Sequence, residues 1–321
     1  MFKKIAALLC GLSLGLAATA QESYPTKSVR IIVPFPAGQA TDLLARTVGQ
    51  HFSKAFGKSF YIDNKPGASA IIGVEAGKYA APDGYTLLMA SSGPLAINPT
   101  LYSKLPYDPI KDFQPIGMVA VVPQFLVATK NFPADDLKGL ISYVKQNPGK
   151  VNFGSGGAGL TNHLTMEMLK SMTGMEITHV PYKGAAAAVT ALVGGEVELM
   201  FESGPPVIPF IRRDQLKVFA VGSQRHSLAL PEVATVAEAG VPGFNAQSWA
   251  VLLAPAGTPK AIIQKLNAEL RVALSAPDVK ERFLGLGAEP TIATPEETAA
   301  YMKSEVQTWG KAVKASGARV E

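Results

Sequence analysis

Two glycine-containing segments hold the residues whose types and spacing could bind an anion. Residues 33–42 read VPFPAGQATD and residues 152–164 read NFGSGGAGLTNHL; in each, an apolar run leads through glycine into a helical pattern. The first N–H groups of a helix are unpaired and lie at the positive end of its dipole, and glycine lets an anion approach them. Each segment is therefore either a carboxylate-binding loop or only a tight strand-to-helix turn. Two matching segments favour the first interpretation.

Enzyme motifs are present only in part. Gly154, Gly156 and Gly159 have the spacing of a dinucleotide fingerprint, but they lie in the middle of the chain rather than in the first strand–helix unit. Residues 52–59 (FSKAFGKS) have phenylalanine where a phosphate-binding loop requires its first glycine, and Phe153 stands where a nucleophile elbow requires one. We therefore expect no catalytic activity and no cofactor.

Metal-binding chemistry is not indicated either. The only cysteine is Cys10, and the histidines at 51, 163, 179 and 226 show no metal-ligand spacing with one another or with carboxylates. His163 stands in the first turn after the second glycine segment. It could donate a hydrogen bond to a ligand or bond locally at the start of the helix, and the sequence leaves both open.

The N-terminus reads as an export signal. Lys3 and Lys4 precede an apolar run over residues 5–17, and Ala18-Thr19-Ala20 supplies small residues for cleavage after Ala20. We expect residues 1–20 to be a signal peptide and the remainder to be periplasmic. The formal charge of +5 includes the two leader lysines, which leaves +3 with no basic run. Nucleic-acid binding is therefore not expected.

The elements that must position these segments alternate between strand and helix, which predicts an α/β fold with mostly parallel sheets. The predicted strands cover residues 29–34, 60–63, 85–90, 124–128, 151–154, 177–181 and 197–201. The predicted helices cover residues 41–56, 71–79, 137–146, 161–172, 185–193, 259–275, 277–284 and 295–315. Residues 21–122 and 247–321 are predicted to form one lobe and residues 123–246 the other. The three last helices are expected to pack on the first lobe.

A series of motifs then resembles one known family. The motifs are VPFPAG followed by Asp42 and Arg46, NKPGA (64–68), DGYTLL (83–88), NPTLY (98–102), FGSGGAG followed by His163, VPYKG (180–184), LVGGEVELMF (192–201), LPEVATVAEAG (230–240) and APAGTP (254–259). In this order and over nearly the whole chain, they resemble the Bug family, the periplasmic receptors of tripartite tricarboxylate transporters.

The resemblance implies a two-lobed type II periplasmic binding protein fold with a ligand cleft between the lobes. It further implies capture of a small dicarboxylate, tricarboxylate or aromatic acid through loop backbone groups, and delivery to integral-membrane permease subunits. We expect a monomer. The family's binding positions fall on Phe35, Pro36, Ala37, Gly38, Gln39, Thr41, Asp42, Ser91, Ser92, Ser155, Gly156, Gly157, Thr161, Asn162, His163, Glu202, Ser203 and Trp249.

Some residues depart from the family pattern or leave alternatives open. Gln39 and Ala40 stand where further glycine is usual, and the Gln39 amide could alter ligand specificity. Glu202 could accept a hydrogen bond from a ligand ammonium or hydroxyl, or could simply be solvated. A sensory partner of a membrane signalling protein is an alternative function, and a secreted hydrolase is a less favoured one.

Overall fold

The computed structural model describes residues 24–320, so the predicted signal peptide lies outside the described residues. The strands are β1 (Val29–Val33), β2 (Phe60–Asn64), β3 (Thr86–Ser91), β4 (Phe113–Thr129), β5 (Asn152–Ser155), β6 (Thr178–Pro181), β7 (Leu199–Ser203), β8 (Leu216–Val221), β9 (Gln247–Pro255) and β10 (Glu289–Pro290). The helices are α1 (Ala40–Phe56), α2 (Ile71–Lys78), α3 (Asn98–Leu101), α4 (Leu137–Gln146), α5 (Thr161–Thr173), α6 (Ala185–Gly194), α7 (Gly204–Arg212), α8 (Lys260–Ser275), α9 (Pro277–Gly285) and α10 (Pro295–Ser316).

The strands form two lobes that share the long strand β4. Their order is β2-β1-β3-β9-β4-β7-β5-β6, and β8 and β10 also pair with β4. Residues 113–123 of β4 pair with β9, whereas residues 124–129 pair with β7 and β8. The two lobes are therefore continuous through one strand. The predicted lobe limits at residues 122 and 247 lie beside this change of partner and stay a prediction.

Alternating side chains on the strands supply the core on both faces of each sheet. On β1, Ile31 and Val33 pack with α1 and α8, while Ile32 faces the opposite side. On β4, Phe125 and Val127 pack with α6 and α7, and Leu126 enters the core on the other face. Apolar strands buried on both faces need helices on both sides, and helices pack on both faces of the sheet in each lobe.

The structure differs from the sequence prediction in several respects. The sheet is mixed rather than mostly parallel, because β4 and β9 pair antiparallel with all their neighbours. The strand predicted at residues 124–128 is the second half of the much longer β4, and no element was predicted for the segments that form α3, α7, β8, β9 and β10. The helices α8 and α9 pack on the first lobe as expected. However, α10 also packs against α5 of the second lobe, so the C-terminal helix contacts both lobes.

Candidate functional site

A cavity of about 310 Å³ lies between the lobes, at the carboxyl ends of the parallel strands. It is bordered by the loops that follow β1 and β3 in the first lobe and by those that follow β5, β6 and β7 in the second. Residues of β4 and β9 close its floor. Ligand sites of α/β proteins typically lie at such strand ends. At about 30 Å³ per water molecule, the cavity has room for roughly ten waters or a small organic acid.

The first loop (residues 34–39) leads into an uncapped helix. The side chain of the N-cap residue Gln39 makes no capping hydrogen bond to α1. Ala40 and Thr41, in the first turn of α1, line the cavity together with Phe35 and Gln39. N–H groups in a first helical turn have no partner within the helix. This end of the cavity therefore offers backbone donors and the positive end of a helix dipole to an anion.

Asp42 holds the first loop from behind. Its Oδ2 accepts hydrogen bonds from the Gly38 N–H and from Arg46 Nε, each at 2.8 Å, and its Oδ1 accepts one from Asn64 Nδ2 at 2.8 Å. Burial raises the pKa of Asp42, but these hydrogen bonds and the Arg46 charge outweigh it and hold the pKa below its ordinary value. The carboxylate thus stays ionised and is fully occupied inside the protein.

Three helices of the second lobe also begin at the cavity. They are α5, with Thr161 and Asn162 in its first turn, α6, which starts at Ala185, and α7, whose N-cap is Ser203. None of these three helices has a side-chain cap on its N-terminus. Their positive ends therefore point toward the same space from the side opposite α1.

Two stacked histidines hold the second loop (residues 156–160) from behind. The rings of His163 and His179 lie 3.9 Å apart between centroids, and His179 stacks in turn on Phe153. Ser155 Oγ lies 2.7 Å from His179 Nε2, and the Gly159 N–H donates to His163 Nδ1 at 3.0 Å. Because His163 Nδ1 is an acceptor, its proton resides on Nε2. The local interpretation of His163 is therefore the one that the geometry supports.

Burial keeps both imidazoles neutral. It lowers the pKa of His163 to about 4, with a further contribution from the Lys170 charge. Burial and the neighbouring His163 lower the pKa of His179 to about 4, although the Glu167 charge opposes the shift. Protonation of His163 Nδ1 would place its N–H opposite the Gly159 N–H, and the hydrogen bond between them would be lost. The hydrogen bond from Gly159 to His163 that holds the second loop thus requires an uncharged His163.

Among the residues that the structure describes, Glu202 is the one acidic residue that lines the cavity. It is 5% exposed at the end of β7. Its Oε1 accepts hydrogen bonds from the Ser203 N–H and Oγ, both at 2.8 Å, and its Oε2 accepts one from Asn162 Nδ2 at 3.0 Å. Burial raises the pKa of Glu202, and these hydrogen bonds oppose the shift only in part.

Trp249 on β9 forms the floor of the cavity and is fixed by the C-terminal helix. Its Nε1 donates to Glu305 Oε2 at 2.7 Å, and Trp309 Nε1 donates to the same oxygen at 2.9 Å. Burial raises the pKa of Glu305, against the effect of both indole donors. Tyr301 packs edge-on against Trp249. Helix α10 therefore determines where the Trp249 ring lies.

The sequence-predicted site residues divide into two groups. Those that line the cavity are Phe35, Gln39, Thr41, Ser91, Gly156, Thr161, Asn162, Glu202, Ser203 and Trp249. Those that do not line it are Pro36, Ala37, Gly38, Asp42, Ser92, Ser155, Gly157 and His163. Asp42, Ser155 and His163 support the loops from behind, and Ser92 Oγ lies 3.0 Å from Ser248 Oγ. Ligand contact by any of them stays a prediction.

Sequence reasoning did not single out the other lining residues. These are Leu44, Val122, Gln124, Ala185, Ser248 and Ala250, apart from Ala40 and Leu160, which lie within the two glycine-containing segments. Gln124 is 4% exposed where β4 passes from one lobe to the other, and Ser248 lies on the neighbouring strand. A glutamine inside an apolar strand was the available signal for Gln124. Ser248 could be placed only once the pairing of β4 with β9 was known.

Two further properties concern the described part of the chain. Within residues 24–320, none of the helices is both long and apolar enough to cross a bilayer. Over the same residues, His, Cys, Asp and Glu side chains form no cluster of three or more that could hold a metal ion.

Comparison with known proteins gives consistent matches. The model of the tripartite tricarboxylate transporter family receptor matches residues 44–318. Protein BugT of Bordetella pertussis is 38% identical over 309 residues, which cover 96% of this chain and 95% of BugT. The structure of R. palustris Rpa4515 with adipate is 36% identical, with a TM-score of 0.77 over 92% of this chain and 100% of that one. The periplasmic binding protein BugD is 35% identical, with a TM-score of 0.73 over 93% of this chain and 100% of BugD.

Proposed function

Because the chain belongs to the Bug family of tripartite tricarboxylate transporter receptors, we propose that it captures a small carboxylate between its lobes in the periplasm. It then delivers this ligand to the integral-membrane subunits of a transporter of the same type. The proposal includes cleavage of the signal peptide after Ala20 and a monomeric receptor. Lobe one comprises residues 21–122 and 247–321, and lobe two comprises residues 123–246.

One observation supports this proposal above all others. The uncapped N-termini of α1 in one lobe and of α5 and α6 in the other converge on a single cavity, and α7 begins there too, although Pro205 and Pro206 in its first turn have no N–H. Backbone N–H groups at helix ends bind carboxylates without a cationic side chain. The arrangement offers an anion donors from both sides, and no Lys, Arg or His is among the cavity-lining residues that the structure describes.

The shared strands support opening and closing of the lobes. The strands β4 and β9 run side by side at the change of partner, and bending there would separate the first loop from the second. Capture by closure is the behaviour of hinged binding proteins. The bound acid should be released chemically unchanged, because the relatives are binding proteins and we expect no catalysis.

Calorimetry and thermal melting with a library of organic acids test this function. A ligand that binds only the folded state adds roughly 2.7 kcal/mol at a hundredfold excess over its Kd, so the true acid should raise the Tm clearly. The corresponding primary amides, which lack the negative charge, serve as matched controls and should give little shift. Small-angle scattering should show a smaller radius of gyration with the bound acid. If no acid shifts the Tm, or if amides match their acids, the proposed function is wrong.

A further inference from the structure

The hydrogen bonds of Glu202 define its orientation and favour its charged form, although burial raises its pKa. Asn162 Oδ1 accepts the His163 N–H at 2.9 Å, so the Asn162 amide must direct Nδ2 at Glu202 Oε2. The Ser203 N–H can only donate, and it lies 2.8 Å from Glu202 Oε1. Donors on both oxygens favour the ionised carboxylate. Oε1 accepts two hydrogen bonds and Oε2 accepts one, which leaves Oε2 able to accept one more.

No cationic side chain neutralises this carboxylate. Among residues 24–320, Glu202 forms no ion pair within 4.0 Å, and the residues that line the cavity include no Lys, Arg or His. Asp42, the buried acid behind the first loop, is bound by Arg46. A buried carboxylate without a cation is costly, and the helix ends around Glu202 offset that cost only in part. A positively charged ligand group would offset the remainder.

The two ends of the cavity are therefore electrostatically different. At the first lobe, the α1 N-terminus presents backbone donors with no acid in the cavity wall. At the second lobe, Glu202 already occupies the donors of Asn162 and Ser203. A ligand carboxylate is thus favoured at the first end and opposed at the second, since like charges in a partly desolvated site repel more strongly than in water.

We propose that Glu202 determines the specificity of this site and selects a ligand that carries one carboxylate and one protonated amine. The carboxylate binds at the first turn of α1, and the ammonium donates to Glu202 Oε2. This inference rests on the proposed function, of which it specifies the ligand class. It predicts discrimination against dicarboxylates and tricarboxylates of similar length.

Matched pairs of acids test the inference by calorimetry at neutral pH. Succinate, glutarate and adipate are compared with γ-aminobutyrate, δ-aminovalerate and ε-aminocaproate, in which an aminomethyl group replaces one carboxylate. Neutral α-amino acids complete the set, because they place the ammonium beside the carboxylate. The wild type should bind at least one amino acid and should bind it more tightly than any diacid. The variant Glu202→Gln should lose on the order of thirtyfold in affinity for that amino acid, as expected for truncation of a buried charge pair.

Two variants separate charge selection from a structural role. Glu202→Asp keeps the charge and should keep the preference for the amino acid, even if affinity falls. Glu232→Gln removes a carboxylate from the exposed surface of the same lobe and should leave both affinities unchanged. If Glu202→Gln does not fold, as judged by its melt, the wild-type preference and the Glu202→Asp variant still decide the question.

The contrary outcomes are distinct. If the wild type binds a diacid more tightly than every amino acid, the proposed function stands and the inference is overturned. Binding of a diacid with uptake of one proton, measured in buffers of different ionisation enthalpy, would also overturn it, because Glu202 would then be neutral. If no acid of any kind binds, the proposed function fails and the inference fails with it.

Discussion

Behind the first loop stands a carboxylate bound by a guanidinium, and behind the second stand two stacked imidazoles. Both loops connect a buried strand to an uncapped helix, and both bring that helix to the same cavity. Asp42 contacts the Gly38 N–H of the first loop, and His163 contacts the Gly159 N–H of the second. The position of the support is the same in the two lobes, but it is an ionised carboxylate in the first and a pair of uncharged imidazoles in the second.

This difference shows that the two loops depend on pH in different ranges. The pKa of Asp42 is lowered, so the support of the first loop is present above the ordinary aspartate pKa of 3.8 and is lost only as the pH falls through the lowered folded value. The support of the second loop needs a neutral His163, and burial keeps His179 uncharged beside it. It is complete above the ordinary histidine pKa of 6.5 and decreases as the pH falls toward about 4.

Removal of the Asp42 charge should have the largest effect on stability. Asp42→Asn should lower the free energy of unfolding by about 3 kcal/mol, because Arg46, the Gly38 N–H and Asn64 lose a buried ionic partner. Chemical denaturation at neutral pH measures this loss. Asp214→Asn breaks the exposed pair with Lys130 and should cost less than about 1 kcal/mol. Equal losses in the two variants would mean that Asp42 does not support the loop.

The histidine pair should make stability depend on pH between 6.5 and about 4. In this range the unfolded chain binds protons that the folded protein excludes, so acidification favours unfolding. His179→Phe keeps a stacked ring that does not titrate. It should reduce the loss of unfolding free energy over this pH range by about 2 kcal/mol. This value is discounted for solvent screening, because His179 is only half-buried. Denaturation at several pH values measures the difference between wild type and variant.

The unfolding free energy of His179→Phe must be compared with that of the wild type at each pH, because other titrating groups change stability in the opposite direction. The pKa values of Glu202 and Glu305 are raised, so each contributes stability that is lost as the pH rises. The exposed His226 is a control of opposite sign. Its pKa is raised by the Pro231 carbonyl and by Glu238, so His226→Phe should steepen the loss on acidification. If His179→Phe follows the wild-type pH profile, the neutral pair is not what supports the second loop.

Most of the elements around the cavity could be predicted from local sequence. The helix over residues 137–146 matches α4, and the start predicted at residue 161 matches that of α5, because apolar spacing and polar flanks mark these segments clearly. The strands β8 and β9 were not predicted. Their identity depends on antiparallel pairing with β4, a contact distant in sequence that no local pattern records.

The site was predictable where ligand binding and local structure use the same residues. The strand, glycine and helix start that follow one another along the chain marked the second loop, and the family resemblance named Gly156, Thr161 and Asn162 within it. The same resemblance placed Asp42 and His163 among the expected ligand contacts, and in the structure both side chains hold their own loops. Side-chain direction at a helix start depends on tertiary partners such as Asn64 and His179, which lie far away in sequence.

Gly38 and Gly156, one in each loop, should lose stability for different reasons when a side chain is added. Gly38 has φ +86° and open space around a Cβ, so Gly38→Ala should cost about 1–2 kcal/mol through backbone strain alone. Gly156 has no such φ, but a Cβ would lie 3.1 Å from the Ala185 nitrogen and 3.2 Å from the Gly184 carbonyl carbon. Gly156→Ala should therefore cost about 1–2 kcal/mol through overpacking.

Asparagine distinguishes the two causes, since it tolerates positive φ better than alanine does. Gly38→Asn should be more stable than Gly38→Ala, whereas Gly156→Asn should be no more stable than Gly156→Ala. Thermal and chemical denaturation of the four variants measure the order. A common order at both positions would contradict the assignment of strain to the first loop and crowding to the second.

The smallest expected effects separate support from ligand contact within the second loop. Ser155 is fully buried behind the cavity, and its Oγ bonds to His179 and accepts the Gly157 N–H at 3.1 Å. Thr161 lines the cavity, and its hydroxyl has no hydrogen-bond partner recorded within residues 24–320. Each hydroxyl should contribute about 1 kcal/mol, that of Ser155 to the stability of the fold and that of Thr161 to ligand binding.

Ser155→Ala should lower the free energy of unfolding by about 1 kcal/mol and leave ligand affinity nearly unchanged, because the hydroxyl bonds only to the protein. Thr161→Ala should leave stability unchanged and weaken binding by roughly fivefold, which corresponds to the loss of about 1 kcal/mol of ligand hydrogen bonding. Denaturation and calorimetry on the same two variants measure both quantities. The reverse pattern would place the ligand at Ser155 and leave Thr161 as part of the wall, so the second loop would bind through the residue that was assigned here to its support.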